Sequence, residues 1–63
     1  MNLKLKSAIY QKFNYQMELA KRVGLTEREL SAIIHERAKP TEQQKKRIAK
    51  ALAMRTGELW TDD

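Results

Sequence analysis

Apolar residues recur at helical spacing in several stretches of the chain, with polar residues between them. Leu5, Ile9 and Phe13 fall every four residues, one stripe of a helix with Lys4, Lys6 and Lys12 among its polar positions. The spacing predicts helix 1 over about 3–13. Asn14 follows it, either as a left-handed stop or as the cap of the next helix. Leu19, Ala20 and Val23 form the stripe of helix 2, about 16–23, with Glu18 in the first turn where a negative charge suits the helix dipole. Leu30, Ile33 and Ile34 face inward from helix 3, about 27–36, which frays around Glu36 before Arg37-Ala38-Lys39-Pro40. Ile48, Ala49, Ala51 and Leu52 give helix 4, about 42–53. Thr56 is read as the cap of a last helix, Gly57 to Trp60, whose Leu59 and Trp60 close the core. Asp62 and Asp63 are expected to fray. No stretch reads as a strand, and the expectation is a single all-α domain, 1–63, of five short helices.

The boundary between helices 2 and 3 carries the most local information. Gly24 follows the last apolar residue of helix 2 and permits a positive φ without a Cβ clash. Thr26 and Glu29 make a T-x-x-E capping box, and Leu25 and Leu30 flank it as a hydrophobic staple. Thr41 and Gln44 repeat the capping pattern before helix 4. Ala20 is small enough to let two backbones cross closely. Two short helices joined by a glycine-containing turn of three to four residues, over about 16–35, read as a helix-turn-helix.

The run QMELAKRVGLTERELSAIIH, followed by R-x-K-P-T and R-I-A-K-A-L, resembles the Cro/C1-type (lambda-repressor-like, XRE) helix-turn-helix domain over nearly the whole chain. The ordered set Gln16, Leu19-Ala20, Gly24, Ser31, Pro40, Ile48-Ala49 and Leu52 carries the likeness. The resemblance implies a compact five-helix lambda-repressor-like fold, with helix 3 in the major groove of double-stranded DNA and helix 2 across the backbone. Carried over position by position, Thr26, Glu27, Arg28, Ser31 and Ala32 would face base edges. Arg28 would pair with guanine, Glu27 would accept from cytosine N4 or orient Arg28, and Ala32 would pack on a thymine methyl. Gln16, Tyr15, His35, Arg37 and Lys39 would contact phosphate. Glu36 stands where the family usually has glycine, so the end of helix 3 is expected to run on or turn differently. Lys45 stands where helix 4 is commonly apolar, so helix 4 is expected to dock less deeply.

Charge sharpens this picture. The net charge is +5, but it is unevenly spread. Residues 1–25 set five Lys/Arg against Glu18, residues 41–55 set five against Glu42, and residues 26–40 balance three basic against three acidic groups. Residues 56–63 are acidic. A basic small domain favours a polyanionic partner. Affinity is therefore expected from groups flanking helix 3, and sequence choice from Arg28 and its neighbours. Lys45, Lys46 and Arg47 read either as a solvated face or as one facing phosphate. Trp60 reads as a core lid, or with Met54 and Leu59 as a dimer contact.

The remaining composition narrows the classes. There is no cysteine, a single histidine and two glycines, so no thiolate metal site, disulfide or phosphate-cradling loop is expected, and no cofactor. An enzyme is not expected, because His35 has neither an activated partner nor a pocket in the sequence. No stretch is apolar enough for a signal segment or a membrane span, so a soluble, cytoplasmic protein with no membrane partner is expected. The resemblance implies a bacterial or phage-encoded regulator of transcription, a repressor of the small phage kind, acting as a homodimer on a two-fold operator. The alternative is a protein-interaction module, such as an antitoxin or an adaptor, that uses the same face for a protein partner.

Overall fold

In the computed structural model, which describes residues 1–60, the described residues form five helices and no strand: α1 (Leu3–Lys12), α2 (Gln16–Val23), α3 (Glu27–Ile34), α4 (Glu42–Leu52) and α5 (Thr56–Leu59). Asp62 and Asp63 lie outside the described residues. The order and number match the expectation, and α2 matches it residue for residue. The other helices end one or two residues from where the apolar pattern placed them.

Helix starts follow side-chain chemistry. Asn2 opens α1, its side-chain oxygen accepting from the Leu5 N–H at 3.0 Å. The Thr26 hydroxyl accepts from the Glu29 N–H at 3.0 Å while the Glu29 carboxylate accepts from the Thr26 N–H at 2.9 Å. Thr41 and Gln44 exchange the same pair at 3.1 and 2.9 Å. Both boxes satisfy donors that the first helical turn leaves open. Two expectations are corrected. Thr56 is the first residue of α5 and not its cap; Arg55 precedes it, and the Glu58 carboxylate reaches back to the Arg55 N–H at 2.8 Å. Asn14 is neither a left-handed stop nor a cap. α1 ends at Lys12, and Phe13 after it is extended at φ −123°, its side chain packed on the core. The Asn14 N–H then donates to Glu18 at 3.2 Å.

Three helices close with the same turn. After α2 the Leu25 N–H donates to the Ala20 carbonyl at 2.9 Å, with Gly24 left-handed at φ 76°. After α3 the Arg37 N–H donates to Ala32 at 2.9 Å and the Glu36 N–H to Ile33 at 3.2 Å, with Glu36 at φ 63°. After α4 the Met54 N–H donates to Ala49 at 2.9 Å, with Ala53 at φ 56°. This is the Schellman pattern, which needs a left-handed residue at the turn. Helix 3 therefore stops at Ile34 and does not run on: Glu36 makes the turn that a glycine would make.

The core sits where α1, α2, α3 and α4 meet, and α5 closes it against α1 and α4. Leu5, Ile9, Leu19, Leu30, Ile34, Ile48 and Leu59 are its largest fully buried side chains. Ala20 is buried where α2 packs on both α3 and α4, which its missing bulk permits. No buried side-chain polar atom among the described residues lacks a partner. The expected shallow docking of helix 4 is not found. Ile48, Ala49 and Leu52 are all buried, and Lys45 lies half-buried with its ammonium 5.9 Å from the Trp60 ring centroid. A long lysine stem covers apolar surface while its charge stays wet, so the position keeps its packing role without an apolar residue.

Candidate functional site

The start of α2, the first turns of α3 and the turn after α3 come together at one surface. Gln16, Glu27, Arg28, Ser31 and Arg37 line a single open depression of about 440 Å³. All five are site residues expected from the sequence, and they span positions 16 to 37. The fold assembles them in three steps. The left-handed turn at Gly24 sets α3 across α2. The Thr26 cap fixes where α3 begins, so Glu27, Arg28 and Ser31 fall on the side away from Leu30, Ile33 and Ile34. The left-handed turn at Glu36 reverses the chain and returns Arg37 to the same surface.

The other expected residues do not line the depression. Tyr15 is 67% exposed and immediately precedes α2. Thr26 is exposed, but its hydroxyl already accepts the cap bond from Glu29. Ala32 is half-buried and contributes its carbonyl to the closing turn. His35 and Lys39 are exposed and do not line the depression.

The electrostatics of the depression are mixed. Arg28 and Arg37 bring positive charge and Glu27 brings negative charge, and none of the three forms an ion pair among the described residues. The α2 N-terminus adds a further donor set. Tyr15 offers it no side-chain cap, and the Gln16 and Met17 N–H groups have no acceptor among the described residues. The α3 and α4 starts, by contrast, are closed by their threonines. Uncapped N–H groups at the positive end of a helix favour an anion, and here the Glu18 carboxylate in the first turn already meets part of that field. The depression thus offers forked cations, a carboxylate, a hydroxyl and an amide on one surface. That set matches hydrogen-bonding edges of both polarities.

Sequence reasoning missed two features. Asn2 was not recognised as a cap, although Asn three residues before the Leu5 N–H is a signal of that kind. The basic segments 1–25 and 41–55 stand apart in the sequence, and the structure brings Lys12, Lys21 and Arg22 beside Arg47 and Lys50. No group of His, Asp or Glu among the described residues is arranged to hold a metal ion. None of the described helices is long and apolar enough to cross a membrane.

No family model, curated protein or solved structure matches this chain.

Proposed function

We propose that the chain is a sequence-specific double-stranded DNA-binding regulator of transcription, with α2, its turn and α3 forming a helix-turn-helix of the lambda-repressor-like kind. One observation carries the reading: Gln16, Glu27, Arg28, Ser31 and Arg37 surround one depression at the solvent face of α3. An α-helix fits the major groove, where each base pair presents its own pattern of donors and acceptors. Arg28 supplies the fork for guanine O6 and N7, and Glu27 accepts from cytosine N4. Gln16 with the uncapped α2 N-terminus takes a phosphate on one side, and Arg37 with His35, Lys39 and Tyr15 takes phosphates at the rim. α3 itself brings no net positive charge, so it chooses sequence while the flanking cations hold the backbone.

A single reader this small binds weakly, and two copies on half-sites about 34 Å apart are the corresponding arrangement. Leu59 is buried at 1% and cannot serve as the contact between copies. Leu3 is 69% exposed and shares a shallow surface with half-buried Met54, which supports a dimer through the outer side of α1 and the α4–α5 corner.

Glu27 in the depression also supports the second reading, in which the same face docks a protein, as in an antitoxin or adaptor. Enrichment from a random duplex pool at about 150 mM salt separates them, since non-specific phosphate attraction is weak there. A recovered motif supports DNA reading. No enrichment, with a protein retained after nuclease treatment, overturns it.

A further inference from the structure

A second charged surface lies at the other end of α2. Lys12, Lys21, Arg22, Arg47 and Lys50 surround a groove of about 620 Å³ between the ends of α1 and α2 and the side of α4. No acidic side chain lines it, and none of the five cations is in an ion pair among the described residues. The groove shares no residue with the depression around Arg28. Gln16 and Lys21–Gly24 sit at opposite ends of α2, roughly 8–12 Å apart at 1.5 Å per residue. An occupant of the groove would therefore leave the α3 face free.

We propose that this groove binds an acidic peptide segment of a protein partner, one that carries an aliphatic or aromatic side chain among its carboxylates. Five unpaired cations around a concave surface favour a polyanion. The rest of the lining decides which kind. Val23, Gly24 and Ala51 line the groove among the cations, so part of its wall is apolar. A phosphate backbone has nothing to place there, whereas a peptide can bury a side chain. The main chain at this corner also lacks donors for a phosphate. The Gly24 N–H donates to the Ala20 and Lys21 carbonyls, and the Leu25 N–H donates to Ala20. The corner is the C-terminal end of α2, where the helix dipole disfavours a compact anion close to the backbone. Binding must come from long side chains that reach carboxylates spaced along an extended segment. The Arg47 guanidinium is placed for this, its Nη1 lying 3.9 Å from where a Cβ on Gly24 would be.

The test is an amide-shift titration of the isotopically labelled chain with a short Asp/Glu-rich peptide carrying leucines. A leucine-free peptide of equal charge and a single-stranded oligonucleotide of equal charge serve as competitors. The expected result is saturable shifts at Lys12, Lys21–Gly24 and Arg47–Ala51, with α3 unmoved, and tighter binding of the leucine-bearing peptide. The double variant Lys21→Glu with Lys50→Glu should lose about tenfold or more in peptide affinity, the sum of two reversed surface pairs, while amide resonances away from the groove keep the positions they have in the parent. If reversal unfolds the chain, Lys21→Gln with Lys50→Gln removes the charge alone and should still weaken the peptide severalfold. Shifts centred on α3, equal binding of the leucine-free peptide, or stronger binding of the oligonucleotide in the groove would each overturn the proposal.

Discussion

The Asn2 side-chain N–H donates to the Leu59 carbonyl at 2.8 Å, across 57 positions of sequence. The same carboxamide caps α1 through Leu5, and the Asn2 main-chain N–H donates to the Ile34 carbonyl at 2.7 Å. One half-buried residue thus ties the start of α1 to the ends of α3 and α5.

Asn2→Ala is expected to cost about 1.5–3 kcal/mol, from a lost cap worth ~0.5–2 and a lost hydrogen bond worth ~1. Asn2→Asp keeps the acceptor for Leu5 and loses the donor to Leu59, so its stability should fall between the two. Urea midpoints of the three proteins test this. If the aspartate variant matched the parent, the bond to Leu59 would contribute nothing.

The three closing turns give opposite expectations for glycine. Gly24→Ala forces a Cβ into φ 76°, at about 1–2 kcal/mol of strain, less the ~0.4–1 kcal/mol that alanine removes from the freedom of the unfolded chain, so it should destabilise by about 0.5–1 kcal/mol; Arg47 lies at ordinary contact and adds no clash. Ala53→Gly removes that strain at φ 56° but adds freedom to the unfolded chain worth ~0.4–1 kcal/mol, leaving a net gain of about 0.5. Thermal unfolding should show a shift of roughly 2–4 °C upward for Ala53→Gly. A fall in Tm for that variant would mean the turn does not strain alanine.

These turns also show where the sequence was readable. Gly24 announced its turn, because glycine is the residue that adopts the left-handed region freely. Glu36 and Ala53 adopt the same region against their preference, held by the 6→1 hydrogen bonds of the Arg37 and Met54 N–H groups. Nothing local marks them, so the helices expected from the sequence run one or two residues past the ends of α3 and α4. The capping boxes were legible for the opposite reason: donor and acceptor lie three residues apart and depend on no distant contact. The route of Phe13 into the core, not the local preference of Asn14, sets how α1 ends.

Under the proposed function, Arg28→Ala should cost about 1–3 kcal/mol in specific DNA binding and relax the preference at one base pair. Arg37→Ala and Lys39→Ala should weaken all duplexes alike, each lowering the salt slope by about one. Affinities measured on the selected motif and on scrambled duplexes, over a range of salt, separate these effects. A uniform loss from Arg28→Ala, with no change in preference, would place Arg28 among the phosphate contacts.

Helical phase made the candidate site legible. With the start of α3 fixed at Thr26, its solvent side follows from 3.6-residue periodicity; of the residues that the resemblance implies there, Glu27, Arg28 and Ser31 line the depression and Thr26 and Ala32 do not. The joining of Arg37 to that surface depends on the Glu36 turn, and the basic groove depends on how α4 crosses α2. Neither is a local property. Charge counts along the chain found the cations of the groove but not their convergence.

Lys45 and Trp60 allow packing and charge to be separated. The ammonium lies 5.9 Å from the ring centroid, close to the ~6 Å limit of a useful cation–π contact, so that term is worth about 0.5 kcal/mol at most here. The pair with Glu42 at 3.8 Å is exposed on the Glu42 side and adds little. The stem therefore dominates, and the Lys45 side chain is only 24% exposed. Lys45→Met, which keeps length and removes charge, should stay within about 0.5 kcal/mol of the parent. Lys45→Ala uncovers one side of Trp60 and should cost about 1 kcal/mol, at roughly 25 cal/mol per Å² of apolar surface exposed. Trp60 fluorescence should shift to the red in the alanine variant and hold its position in the methionine variant. If both variants lost stability equally, the charge over the ring and not the stem would be the stabilising element.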